Sequence, residues 1–147
     1  MPISLDATMM RQIIMDHYEH PRNKRTPNSP NYKKIHMDSV SCIDNIHVYL
    51  LIEHGIITDA AFNGVACAIS TSSTSIMTEL LIGKSETDAM YIIDQYLAMI
   101  NERKYDDSVL GEAIVFMNTH KQAARIKCAT LGFIGAKTLL EEQHHHE

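Results

Sequence analysis

The chain has 147 residues, 45% of them hydrophobic and 21% charged, which fits one ordinary globular domain and argues against a disordered tail protein, a fibre or a disulfide mini-protein. Thirteen basic against 18 acidic side chains give a net charge of -5, there is no long Lys/Arg run, and tryptophan is absent, so the charge that draws a protein to nucleic acid is missing and few platforms are left for base stacking. The opening MPISLDATMM places Asp6 where a leader needs apolar residues, no apolar run approaches the roughly 20 residues of a membrane span, and three cysteines cannot complete a disulfide framework. A cytoplasmic protein with no membrane partner is expected.

Residues 1–147 are expected to form one domain, with 141–147 as a flexible tail. Met9, Ile13 and Tyr18 recur at helical spacing between Leu5 and Tyr18, and Pro21 closes that first helix. Asn23 to Asn31, with Pro27 and Pro30, reads as an irregular crossing segment. The period then changes to two: Ile46, Val48, Leu50 and Ile52 alternate with His47, Tyr49, Leu51 and Glu53, and His54-Gly55 supplies a tight turn into a second strand over Ile56 to Phe62. A shorter strand around Ile35 to Val40 completes a three-stranded antiparallel sheet. After Gly64 the pattern is helical. One helix is marked by Ile69, Ile76, Met77, Leu80 and Leu81 and ended by Gly83, and a second opens on Ser85 with Asp88 three residues on. A third is expected over Val109 to Met117 and a last from about Lys127 to Leu140. Strands first and helices after, without alternation, predict an α+β fold.

Cys42, Cys67 and Cys128 form no CxxC pair, so their spacing alone says little about a metal. Their surroundings say more. Asp44 lies two positions after Cys42, on the same side of an extended segment. Cys67 stands where a strand gives way to a Ser/Thr-rich helix start, where backbone N–H groups and the helix dipole favour a thiolate. Cys128 has Arg125 and Lys127 beside it. Three thiolates and a carboxylate make a four-coordinate set suited to zinc, or to iron when sulfide is supplied. The plainer reading leaves Cys67 and Cys128 as core residues and Asp44 as a turn residue.

The segments RQIIMDHYEHPRN (Arg11 to Asn23), Cys42/Asp44, GVACAIS (Gly64 to Ser70) and RIKCATL (Arg125 to Leu131) resemble the SufU, IscU and NifU N-terminal family of iron-sulfur cluster assembly proteins over nearly the whole chain. The resemblance implies an N-terminal helix, a three-stranded antiparallel sheet and helices packed on one face, with Cys42, Asp44, Cys67 and Cys128 converging on one metal site. Within the family the chain is more similar to the SufU branch: Lys127 precedes Cys128 where IscU-type scaffolds carry a ligand histidine, and KQAAR (Lys121 to Arg125) stands in place of their Pro-Pro-Val-Lys motif. That branch implies bound zinc and a cysteine desulfurase as partner, with Cys42 as sulfur acceptor and Arg125 in support. Zinc keeps thiolates deprotonated yet subdued until a ligand is displaced.

Two alternatives stand beside this reading. One is a scaffold that builds a [2Fe-2S] cluster on Cys42, Cys67 and Cys128 and passes it to apo iron-sulfur proteins. The other is a degenerate, metal-free partner-binding relative, suggested by Ile43 and Ala66, which occupy positions where the family carries glycine and where a positive φ would strain a branched side chain. His17 and His20 read as helix-end hydrogen-bonding or partner-contact residues, and the histidines show no mutual spacing that suggests a second centre. The terminal QHHHE can collect adventitious metal.

Overall fold

The structure is a computed structural model that describes residues 6–39 and 43–145. Helix α1 (Ala7–Glu19) precedes strands β1 (Lys33–Asp38), β2 (Asn45–Glu53) and β3 (Ile56–Val65); α2 (Ala68–Leu81) and α3 (Glu86–Ile100) follow, then three short 3-10 turns, then α4 (Ala123–His145). This is the expected α+β order.

The strands pair antiparallel in the order β1-β2-β3. Period-two patterning sets the register: Val48 faces Phe62 and Leu50 faces Ala60 across β2 and β3, and Ile46, Val48 and Leu50 are wholly buried while His47 and Tyr49 turn toward the other face. His54 (φ 53°) and Gly55 (φ 75°) close the hairpin, the paired positive φ values that a two-residue turn needs to match strand twist. The crossing segment after α1 runs along the free edge of β3: Phe62 N–H donates to Asn23 O at 3.1 Å and Arg25 N–H to Phe62 O at 2.8 Å.

Helices α2 and α4 cover the inner face of the sheet. Helix α2 is buried from Ser70 to Thr78 although hydroxyl residues fill most of it. Several of them turn back on backbone carbonyls nearby: Ser72 Oγ donates to Ala68 O at 2.7 Å, Ser73 Oγ to Ser70 O at 3.2 Å and Thr78 Oγ1 to Ser75 O at 2.7 Å, which satisfies these three within the helix. Small side chains also let α4 come close. A Cβ on Gly132 would lie 2.3 Å from Thr74 Oγ1, and one on Gly135 would lie 3.0 Å from Met37 of β1. The core closes around Tyr96 of α3, whose ring stacks on Phe133 with centroids 3.7 Å apart and whose hydroxyl donates to Ala129 O at 2.8 Å.

Three expected boundaries move. The helix expected over Val109 to Met117 is a pair of 3-10 turns, 107–109 and 111–116, because Gly111 takes φ 50°, outside the right-handed helical basin. The chain continues with i to i+3 bonds, from Ala113 N–H to Leu110 O and Met117 N–H to Ile114 O. Helix α4 begins at Ala123 rather than Lys127. It also stays helical through His145, beyond the 141 boundary drawn from the sequence.

Candidate metal centre

The centre forms where the start of β2, the end of β3 and the first turns of α2 and α4 meet. Asp44 immediately precedes β2 and is 1% exposed. Its Oδ1 accepts the backbone N–H of Cys67 at 2.8 Å, and its Oδ2 lies 3.9 Å from Cys67 Sγ. Cys67 is the N-cap of α2 in extended geometry (φ -68°, ψ 171°), and its sulfur accepts the N–H of Ser70 at 3.4 Å. A sulfur thus occupies the place that Ser or Asp takes at most helix starts, where unpaired N–H groups and the helix dipole stabilise negative charge.

Position 67 is set by Gly64, at φ 127°, where an added Cβ would fall 2.3 Å from Asn45 O. Only glycine lets β3 lie this close to β2 while turning Cys67 toward Asp44. Cys128, 6% exposed, comes from the second turn of α4. One ligand atom from each of Asp44, Cys67 and Cys128 lies within 4.8 Å of the other two.

This donor set fits zinc. A tetrahedral ion bound at about 2.0–2.3 Å holds its ligand atoms about 3.3–3.8 Å apart, and the Asp44–Cys67 separation is already near that range. Two sulfurs and a carboxylate brought together out of water also need a cation to offset their charge once ionised. Ferrous iron accepts the same ligands.

Of the residues singled out from the sequence, Asp44, Cys67 and Cys128 converge. Cys42 lies outside the described residues. Arg125 is exposed in the first turn of α4, three positions before Cys128. The strain expected at Ala66 is not found: among the described residues the non-glycine positions with positive φ are Asn23, His54 and Glu102. Ile43 is 66% exposed, and Val65 64%, so two large apolar side chains stand in solvent next to Asp44 and just before Cys67.

The profile of the NifU-like N-terminal domain matches residues 9–129, a span that contains every residue of this centre. The chain belongs to the NifU-like N-terminal domain family. Among family relatives, it is 38% identical over 127 residues to the zinc-dependent sulfurtransferase SufU of Bacillus subtilis, covering 86% of this chain and 85% of SufU. It is 33% identical over 103 residues to the iron-sulfur cluster assembly scaffold protein IscU of Thermotoga maritima, covering 70% of each chain. Of solved family structures, the SUF-system scaffold protein of Fervidobacterium islandicum superposes with a TM-score of 0.80 at 28% identity, over 88% of this chain and 94% of that one. The N-terminal NifU-like protein of Brucella abortus gives 0.83 at 19% identity over 92% and 94%, which shows the shared fold.

Sequence reading missed one grouping. His17, Glu79 and Glu112 also bring ligand atoms within 4.8 Å of one another. Histidine spacing conceals it, since two of the three residues are glutamates on other elements.

Proposed function

We propose that this chain is a zinc-carrying sulfur acceptor in iron-sulfur cluster assembly, charged by a cysteine desulfurase. The convergence of Asp44, Cys67 and Cys128 carries the reading, and likeness to a zinc-dependent sulfurtransferase over most of both chains supports it. Cys42 completes the ligand set through its i, i+2 relation to Asp44 and is the acceptor. Zinc, when bound, holds the cysteine sulfurs as thiolates at neutral pH and restrains their reactivity.

The transfer needs no net oxidant. The Cys42 thiolate attacks the outer sulfur of the desulfurase persulfide, a new S–S bond forms at Cys42, the partner's S–S bond breaks, and the partner cysteine leaves as its thiolate. Asp44 keeps its place beside Cys67 through the backbone N–H it accepts. Arg125, exposed one turn before Cys128, supplies positive charge toward the incoming persulfide. Ile43 and Val65 offer the apolar contact that a docking protein desolvates. Incubation with a cysteine desulfurase and cysteine tests this: the protein gains one persulfide sulfur per chain and speeds sulfide release, and Cys42→Ala does neither. Transfer at the normal rate by Cys42→Ala contradicts it. A stable coloured cluster after incubation with iron, sulfide and reductant supports the scaffold reading instead, in which apo iron-sulfur proteins are the recipients.

A further inference from the structure

Helix α1 packs on α2, yet its one buried residue is not apolar: it is His17, wholly excluded from solvent. Burial of an imidazole requires a partner for each nitrogen. Nδ1 lies 2.8 Å from Ser75 Oγ, and Nε2 lies 2.9 Å from Glu112 Oε1. A tether between helices needs no more than this. A second carboxylate nevertheless faces the same nitrogen, with Glu79 Oε1 at 3.7 Å from Nε2. One N–H cannot make a short hydrogen bond to both carboxylates, and the closer one, Glu112, already takes it.

The nearby charges do not account for the second glutamate. Arg22 Nη2 binds Asp16 Oδ2 at 2.6 Å, and the same guanidinium donates to His20 O at 3.0 Å, so its charge is already shared with Asp16 even though it feels both glutamates. Two carboxylates, each nearly half exposed, therefore gather around a buried imidazole, with an open side toward water.

We propose that His17, Glu79 and Glu112 form a second metal site, which takes a divalent first-row transition cation through nitrogen and oxygen. Ligand atoms bound at about 2.0–2.2 Å and at right angles to one another lie about 3 Å apart, and the two Nε2–carboxylate distances bracket that value. Ser75 sets the imidazole for the task. Its Oγ accepts the backbone N–H of Arg22 at 2.8 Å and can accept Nδ1–H with its other lone pair, which turns the bare Nε2 toward the glutamates. This is the outer hydrogen bond that metal-binding histidines use to fix their tautomer. Without metal, the opposite tautomer has Ser75 O–H donating to Nδ1 and Nε2–H to Glu112, so binding moves the ring proton from Nε2 to Nδ1. Glu79 lies twelve residues along α2 from Cys67, about 18 Å at the helical rise, so the two centres are separate and of opposite ligand character, oxygen-rich here and sulfur-rich there.

Cobalt(II) distinguishes them. The full chain, with His144, His145 and His146 replaced by serine, is saturated with one equivalent of zinc and titrated with Co2+, which does not displace zinc from thiolates. Any cobalt that reaches sulfur is recognised by its intense charge-transfer absorption. The site predicts one further equivalent with the weak bands of oxygen and nitrogen ligation, paramagnetic shifts on the His17 ring protons, and binding at least tenfold weaker in the Glu79→Gln/Glu112→Gln variant, whose zinc content is unchanged. No second equivalent, or binding as tight in the variant, overturns the proposal.

Discussion

Asp44 accepts the backbone N–H of Cys67 at 2.8 Å, so the residue just before β2 is tied to the residue that caps α2. This bond makes Asp44 a structural residue as well as a candidate ligand, and two substitutions separate the roles. In metal-stripped protein, Asp44→Ala leaves the Cys67 N–H without its acceptor and costs about 1–3 kcal/mol. Asp44→Asn keeps a carbonyl oxygen there and most of the stability, but gives up the anionic ligand. Thermal unfolding of the metal-free variants beside their zinc content reads both effects, and equal stability of the two contradicts the structural role.

Gly64 cannot carry a side chain. An added Cβ meets Asn45 O at 2.3 Å in addition to the strain of a positive φ, so Gly64→Ala lowers stability by more than the about 1–2 kcal/mol of left-handed strain alone. Gly83 provides the control, since its φ is 88° but no atom lies within 4 Å of the added carbon. Denaturant midpoints of the two variants therefore differ, with Gly64→Ala the weaker.

The Tyr96 hydroxyl reaches Ala129 O, one residue from Cys128, while its ring stacks on Phe133. Tyr96→Phe keeps the stacking and removes the bond, for an expected loss of about 0.5–1.5 kcal/mol. The midpoint in urea shifts and its slope does not.

Acid weakens the junction between the crossing segment and β3. Burial works to raise the Asp59 carboxyl, but hydrogen bonds from Arg25 and Tyr32 outweigh it and hold the folded pKa below the ordinary carboxylate value. A depressed folded pKa contributes stability that is fully present above the unfolded value of 3.8 and is lost as pH falls through the folded one. The melting temperature of Asp59→Asn thus declines less steeply below pH about 4 than that of the natural chain. Parallel curves contradict the assignment.

Much of the fold was legible because single residues set it. The alternation of Ile46, Val48 and Leu50 marked β2, His54-Gly55 marked the hairpin, and Ser85 caps α3 by accepting the Asp88 N–H at 3.1 Å, as its spacing predicted. The 3-10 stretch was hidden because Val109 to Met117 has a helical hydrophobic pattern and only the backbone reveals the positive φ of Gly111. Burial of the Ser/Thr run in α2 was equally hidden, since composition does not tell that Ser72, Ser73 and Thr78 bind their own helix while Ser75 meets His17. The centre was visible as residue types, Asp44, Cys67 and Cys128, but their convergence depends on Gly64 and on the approach of α4. The His17 cluster left no trace in spacing because its carboxylates come from α2 and from the second 3-10 turn.

The account rests on one zinc ion held by Asp44 and the cysteines, and metal content measures it most directly. Elemental analysis of the chain with the three terminal histidines replaced by serine is set beside the Asp44→Ala and Cys128→Ser variants. One tightly held zinc per chain in the parent, weakened in both variants, is the predicted result. Folded protein that holds no zinc in any of the three contradicts it.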